Sequence, residues 1–227
     1  NHLLFVEGDV YATTFGMFEP FSDPNIAFSF HYYPFLHQHK SNKPTQAERI
    51  RDSFAEQVDL DDLHGRLGRP VWCGETGALL GAPDRSVQES MLKDTLDFFE
   101  ENRVSWSIWA YKDARSMGTV HPKADSGWMD FSTKARRGWN FWDDFTARET
   151  TVDAILAQYP TAITDRERLK VGFRVMADYQ LVLAAGYPEL LTTVPFATLL
   201  EAARSFRFEN CEVWRTVADM VRNLTRS

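Results

Sequence analysis

Residues 70–77 read Pro-Val-Trp-Cys-Gly-Glu-Thr-Gly, a short apolar run followed by a glutamate, Glu75, with a glycine before it and another two residues beyond it. Three comparable apolar runs occur at residues 3–6, 26–30 and 104–109. Each fits a strand buried on both faces better than a strand with one wet face. Such strands are typical of parallel sheets that are covered by helices.

Helical patterns separate the later apolar runs. Thr45-Gln-Ala-Glu48 and Ser86-Val-Gln-Glu89 both have the form of a capping box, in which a hydroxyl and a carboxylate satisfy the first N–H groups of a helix. After Ser86, apolar residues recur on one helical face, at Val87, Met91, Leu92, Leu96 and Phe99. The order of strands and helices predicts parallel pairing with right-handed crossovers.

The C-terminal part of the sequence has a helical pattern throughout, from about Trp139 onward. A third capping box begins at Thr164, and Pro188 and Pro195 mark helix ends. We expect core packing for the apolar residues at helical spacing, which are Phe173, Met176, Tyr179, Leu183, Trp214, Val217 and Val221. We therefore predict a barrel segment at residues 1–145 and a helical closing segment and extension at 146–227.

Composition limits the class of ligand. The net charge is −7 and the pI is about 5.4, which gives no basic surface for nucleic acid or an anionic membrane. No run approaches the roughly 18 apolar residues of a membrane span. The chain opens directly on an apolar strand without Met or a leader, so we expect sequence to have been removed upstream, and the localisation stays undetermined. Cys73, in an apolar run, is expected to be a buried free thiol.

Polar and aromatic residues follow every apolar run. In a parallel α/β barrel the C-terminal strand ends form one rim, so these residues are expected to converge there. The four groups are Glu7-Gly8-Asp9, His31-Tyr32-Tyr33-Pro34, Gly74-Glu75-Thr76-Gly77 and Ala110-Tyr111-Lys112-Asp113.

Taken in order, the four motifs resemble the fifth to eighth strands of glycoside hydrolase family 5, the cellulase-type clan. The resemblance covers roughly the first 130 residues, including the stretch 117–129, which is similar to the loop after the eighth strand in some members. It implies an α/β fold, the C-terminal half of a (β/α)₈ TIM barrel, here with an additional helical C-terminal extension.

The resemblance also implies a retaining double displacement on a β-glycoside, with an oligo- or polysaccharide substrate and no cofactor. Glu75 matches the nucleophile of the family, Tyr33 a tyrosine that hydrogen-bonds it, and His31 a histidine of the same motif. Trp109 matches an aromatic platform under the sugar. Further candidate sugar contacts are Glu7, Tyr11, Tyr111, Lys112 and Asp113.

The sequence departs from the family at the acid/base residue. The family carries that glutamate after its fourth strand in an Asn-Glu-Pro motif, and this tripeptide is absent here. Phe18-Glu19-Pro20 is the nearest string, but it follows the fifth strand and lacks the Asn. That string is therefore rejected as an equivalent, and Glu7 is the remaining substitute acid, although its strand matches the fifth strand of the family and not the fourth. We therefore expect an incomplete site, whose missing half-barrel is supplied by another chain or by pairing of two copies.

Alternative interpretations remain open at this point. His31, His37 and His39, with Glu75 nearby, could be drawn as a zinc or iron site, although His37 and His39 lie in a polar segment that fits a solvated loop. Glu75 could be a structural carboxylate, and Tyr33 and His31 a buried pair. The rival function is a non-catalytic half-barrel that binds carbohydrate or serves as a scaffold.

Overall fold

The computed structural model describes residues 2–36, 42–58, 62–139 and 141–225. The chain divides into two compact units, the first formed by residues 1–111 with 216–227 and the second by residues 112–215. The predicted boundary at residue 145 stays a prediction. Within the described ranges, every helix is too short or too polar to cross a membrane.

The first unit is built on a parallel four-stranded sheet. Its strands lie side by side in chain order, and they are β1 (Leu4–Glu7), β2 (Ile26–His31), β3 (Val71–Thr76) and β4 (Ser105–Ile108). A short irregular helix, α1 (Asp9–Ala12), follows β1; α2 (Gln46–Gln57) connects β2 to β3, and α3 (Arg85–Glu101) connects β3 to β4. The predicted α/β class is confirmed: the described residues form a partial barrel, and no closed barrel occurs among them.

The helix starts follow the predicted capping chemistry in two cases of three. At Thr45, the hydroxyl accepts from the N–H of Glu48, and the Glu48 carboxylate accepts from the N–H of Thr45. Thr164 and Glu167 make the same reciprocal pair. The box predicted at Ser86 is wrong, because the Asp84 carboxylate accepts from the N–H groups of Ser86 and Val87 and starts α3 two residues earlier.

The core of this unit lies between the sheet and the two crossover helices. The Phe30 ring meets Phe54 of α2 at 5.5 Å and Phe99 of α3 at 6.0 Å, in edge-on contacts. The predicted apolar face of α3 is buried at Met91, Leu92, Leu96 and Phe99. Val87 departs from the prediction and is exposed, because it lies in the first turn of the helix.

Burial on both faces is found for β2 alone among the four predicted strands. Leu4 and Phe5 of β1 are 50% and 49% exposed, which corrects the prediction for that strand. The reason is its place in the sheet: β1 pairs only with β2 among the described strands, whereas β2 has a neighbour on each side. β3 and β4 are partly exposed.

The second unit is mainly helical. Its helices are α4 (Gly127–Ala135), α5 (Phe141–Leu156), α6 (Asp165–Ala184), α7 (Gly186–Thr193) and α8 (Phe196–Ala203). It also contains a small antiparallel pair, β5 (Val120–Pro122) with β6 (Cys211–Val213). A wholly helical tail was therefore the wrong prediction at 211–213, where three residues are too few to show a period. The last helix, α9 (Arg215–Leu224), belongs almost entirely to the first unit.

The apolar residues predicted to pack in the tail differ in burial. Trp214 and Val217 are buried. Four others are half-buried, namely Phe173, Met176, Tyr179 and Val221. The side chain of Leu183 lies outside the described part of the structure. Core packing is thus confirmed for two positions and is only partial for four.

Candidate active site

The Glu75 carboxylate is the centre of a polar cluster at the C-terminal end of the sheet. The Tyr33 hydroxyl donates to Glu75 Oε2 at 2.7 Å. His31 Nδ1 lies 3.5 Å from the same oxygen. The Glu75 side chain is 27% exposed, so the carboxylate is held by protein groups and still reaches the surface.

Glu7 lies on the other side of the His31 ring. Its Oε1 is 3.6 Å from His31 Nε2, and its side chain is 61% exposed. The imidazole therefore stands between two carboxylates that come from β1 and β3. The structure thus brings together four of the predicted site residues, from three neighbouring strand ends: Glu7, His31, Tyr33 and Glu75.

Tyr33 is suited to remain a neutral hydrogen-bond donor. Burial raises the pKa of its hydroxyl well above the ordinary value of 10.0, and the hydrogen bond to Glu75 raises the pKa further, because a phenolate beside that carboxylate would be disfavoured. The proton of Tyr33 therefore stays on the phenol at neutral pH and points to Glu75. A donor held in this way fixes the position of Glu75 Oε2.

Three aromatic side chains near this end of the first unit are exposed. Trp109 follows β4, is 50% exposed, and donates its backbone N–H to the carbonyl of Thr76 at 2.8 Å, which places it beside the residue after Glu75. Tyr11 and Tyr111 are also exposed. These rings are accessible to a sugar face, and their role as sugar contacts stays a prediction.

Lys112 and Asp113 belong to the second unit, where both have structural partners. The Asp113 carboxylate accepts from the N–H groups of Ser116 and Met117 at 3.0 and 2.7 Å. Lys112 Nζ donates to the carbonyl of Phe206. These bonds give both side chains a local function in the loop after β4, and their predicted sugar contacts stay untested.

The hypothesis of a three-histidine metal site cannot be followed beyond His31. His37 and His39 lie outside the described residues. Within the part of the chain that is described, no three His, Cys, Asp or Glu residues are grouped so that they could hold a metal ion.

Sequence reasoning missed two residues that shape the cluster, Ser29 and Gly74. Ser29 is buried in β2, and its Oγ lies where a side chain on Gly74 would be. The signal for Ser29 was a single hydroxyl within the otherwise apolar run 26–30. Gly74 could be read from the sequence, but the requirement for a glycine at this position depends on how β2, β3 and β4 pair.

A cavity of about 470 Å³ lies in the second unit, between α4, α7 and α8, and is lined among others by Phe131, Leu190 and Ala202. None of the predicted site residues lines it. The Glu75 cluster is thus a feature of the end of the parallel sheet.

Comparison with known proteins agrees with the order of the strand-end motifs. The model of the cellulase family, glycosyl hydrolase family 5, matches residues 1–115. A beta-xylosidase from Phanerodontia chrysosporium is 31% identical over an alignment of 249 positions. The alignment covers 93% of this chain and 51% of that protein. The chain thus spans about half the length of the curated relative it matches. The family match extends over all four parallel strands and the Glu75 cluster, and the chain belongs to glycosyl hydrolase family 5.

Proposed function

We propose that this chain carries the nucleophile of a retaining β-glycoside hydrolase, and that the nucleophile is Glu75. The observation that carries the proposal is the contact between Glu75 Oε2 and the Tyr33 hydroxyl at 2.7 Å, at the exposed end of a parallel sheet. A partly exposed, oriented carboxylate is what attack on an anomeric carbon requires.

The two sides of the carboxylate suggest how the attack proceeds. Tyr33 and His31 both approach Oε2, so we assign the attack to Oε1. The bond from Oε1 to the anomeric carbon forms while the bond to the leaving oxygen breaks, and the leaving oxygen takes a proton from a general acid. Water then hydrolyses the glycosyl ester, with the same acid acting as base.

The general acid is assigned to a polypeptide segment other than these 227 residues. Retaining enzymes hold their two carboxyl groups about 5–5.5 Å apart, with the sugar between them. Glu7 is the second carboxylate of the cluster, but the His31 ring stands between it and Glu75, and the sequence contains no Asn-Glu-Pro motif. We propose that a complementary half-barrel, the N-terminal part of the family domain, supplies the acid.

The substrate class follows from the family and from the relative. The relative is named a beta-xylosidase, and the resemblance in the strand-end motifs covers enzymes that act on β-glucans. Aryl β-xylosides and aryl β-glucosides are therefore the first substrates to test.

The experiment compares Glu75→Gln with the matched variant Glu19→Gln, which changes an exposed carboxylate outside the cluster. Hydrolysis of both aryl glycosides is measured for the chain alone and with the N-terminal half of a family 5 domain added. We expect Glu75→Gln to lower turnover by about 10³-fold or more, and Glu19→Gln to leave it unchanged. Unchanged turnover in Glu75→Gln would remove this residue from its role.

A second candidate function is carbohydrate binding without catalysis. The exposed rings of Trp109 and Tyr111 favour it, because aromatic faces stack on sugars whether or not a bond is cleaved. Binding of xylo- or gluco-oligosaccharides by calorimetry, with no hydrolysis even after the N-terminal half is added, would support this function over the first.

A further inference from the structure

β3 contains one residue more than the strands on either side of it. Phe30 of β2 pairs with Cys73, but the next residue, His31, pairs with Glu75. On the other side, Cys73 pairs with Trp106 of β4, and the next pair is Thr76 with Ile108. Between these two pairs β3 advances by three residues and β4 by only two. An extra residue in one strand is a β-bulge, and the residue skipped in the pairing with β2 is Gly74.

The bulge decides on which face of the sheet the Glu75 side chain lies. In a regular strand, residues 73 and 75 share a face. Cys73 is fully buried and pairs with Phe30, whose ring packs on α2 and α3. Without the bulge, with residues 73–75 paired regularly, the Glu75 carboxylate would share the face of Cys73 and enter this apolar core, where an unpaired charge is costly. With it, Glu75 lies beside its pairing partner His31 and accepts from Tyr33.

Two sets of contacts fit the bulge to this sequence. A Cβ on residue 74 would lie 2.5 Å from Ser29 Oγ and 3.4 Å from the nearest atoms of the His31 ring. Glycine therefore leaves the room that the Ser29 hydroxyl occupies, whereas the His31 ring would only be in ordinary contact with such a Cβ. The carbonyl of Glu75 accepts from the N–H of Tyr32 at 3.0 Å and from Cys73 Sγ at 3.2 Å, which fixes the backbone immediately after the bulge.

We propose that Gly74 is a positioning residue for Glu75, required because the Ser29 hydroxyl fills the space beside it, and that Cys73 acts with it. The bulge turns the carboxylate toward Tyr33 and His31, the space left by glycine accommodates the Ser29 hydroxyl beside β3, and the thiol holds the carbonyl of Glu75. This proposal rests on the proposed function in one respect, which is that Glu75 is the nucleophile.

The test measures the rate at which Glu75 becomes glycosylated by a 2,4-dinitrophenyl 2-deoxy-2-fluoro-β-glycoside, in the xylo and gluco forms. In this step a Glu75 oxygen bonds to the anomeric carbon, the bond to the aryl oxygen breaks, and its electron pair leaves with dinitrophenolate. That leaving group needs no proton, so the rate reports the nucleophile without the general acid. Labelling is followed by mass spectrometry on the chain, with and without the N-terminal half of the domain.

The variants are Gly74→Ala, Ser29→Ala, the two combined, and Gly16→Ala as control, because a Cβ on Gly16 meets no atom within 4 Å. We expect Gly74→Ala to slow labelling by about 10²-fold, as for a nucleophile displaced by about 1 Å. Ser29→Ala combined with it should recover most of the rate, because the 2.5 Å clash is removed, while Gly16→Ala labels like the parent chain. A parent-like rate for Gly74→Ala, or no recovery in the double variant, would overturn the proposal.

Two further measurements keep the outcomes separate. If Gly74→Ala does not fold, Cys73→Ala and Cys73→Ser are tested in its place. Cys73→Ala loses the donor to the Glu75 carbonyl and should be labelled several-fold more slowly than the parent chain. Cys73→Ser keeps a donor and should recover the labelling rate. Equal rates for both variants and the parent chain would count against the proposal. If the parent chain itself is not labelled, the proposed function fails. Positioning is then decided by a crystal structure of Gly74→Ala, or of Cys73→Ala in its place. Loss of the Tyr33–Glu75 hydrogen bond would support the proposal, and its retention would overturn it.

Discussion

At the scale of single residues, the Tyr33 hydroxyl is the group that acts most directly on the Glu75 carboxylate. Tyr33→Phe removes the 2.7 Å hydrogen bond and leaves the ring in place. A hydrogen bond to a charged group is worth about 1.5–3 kcal/mol, so we expect kcat to fall by about 10- to 100-fold, with a smaller change in KM. Steady-state hydrolysis of an aryl β-xyloside measures both constants.

The matched control for this variant is Tyr159→Phe, at an exposed tyrosine of the second unit. It should leave kcat unchanged. A kcat for Tyr33→Phe within twofold of the parent value would show that the hydroxyl does not assist Glu75.

The raised pKa of Tyr33 also predicts a response to alkaline pH. Because burial and the Glu75 hydrogen bond raise this pKa above the ordinary 10.0, the folded state favours the protonated form. The resulting stability is complete below about pH 10 and is lost as the pH rises toward the folded-state pKa. We expect the Tm of the parent chain to fall more steeply than that of Tyr33→Phe between pH 9 and 11, measured by circular dichroism. Parallel curves would contradict the linkage.

The two cysteines should react differently with a thiol reagent. Cys73 is fully buried, and burial raises the pKa of its thiol, whereas Cys211 is partly exposed. We expect one thiol per chain to react with Ellman's reagent in the native state and the second only after denaturation. Cys211→Ala should abolish the native reaction; rapid native reaction in that variant would show that Cys73 is accessible.

Part of the cluster could be predicted from sequence, because its members follow four apolar runs in a fixed order. The expected convergence of Glu7, His31, Tyr33 and Glu75 is what the structure shows, while their catalytic roles stay predictions. The part that Gly74 plays beside Glu75 could not be predicted, for a physical reason. A glycine displays no functional group, and the extra residue it contributes is visible only when the register of β3 is read against both neighbouring strands.

At the scale of elements, the start of α3 shows how a cap competes with its neighbour. Ser86 was predicted as the cap, but the carboxylate of Asp84 satisfies the same first-turn N–H groups. The Ser86 hydroxyl donates to Asp84, and this bond is the main cause of the lowered pKa of that carboxyl, followed by the N–H of Val87. The choice between two adjacent caps depends on backbone angles that the residue types leave open.

This cap gives a prediction with a defined sign in pH. Asp84→Ala should lower the Tm at pH 7, and Asp84→Ser, which keeps an N-cap acceptor, should recover most of the loss. Since the folded-state pKa is below the ordinary 3.8, the stabilisation is complete above that value and disappears as the pH falls through the folded-state pKa. Thermal unfolding at pH 7 and pH 2.5 checks both statements. An equal Tm for Asp84→Ala and the parent at pH 7 would refute them.

Strand positions could be predicted more closely than strand burial. All four predicted strands occur, with ends shifted by at most three residues, because apolar composition determines where a strand forms. Exposure depends on which neighbours a strand has, and nothing in the residues of β1 shows that one edge is unpaired among the described strands. β5 and β6 are three residues each, too short for any periodicity to appear.

At the scale of the whole molecule, the free edge of β1 is the feature with the largest consequence. Leu3, Leu4 and Phe5 are about half exposed or more, and the backbone of β1 has a paired neighbour on one side only among the described strands. Soluble proteins avoid such edges by closure, by cover or by association, because unpaired N–H and C=O groups beside apolar side chains attract another strand.

We therefore expect the isolated chain, whose monomer is 26.1 kDa, to self-associate as its concentration rises. Adding the N-terminal half of a family 5 domain should suppress this self-association. It should also raise the Tm of the chain, by more as the concentration of the added half increases, because a partner that binds only the folded state stabilises it by mass action. Leu4→Lys, which places a charge on the edge strand, should weaken association without slowing glycosylation of Glu75. Light scattering and thermal unfolding measure these effects. A monomer at every concentration, with a Tm that the added half does not change, would show that the edge of β1 is already protected.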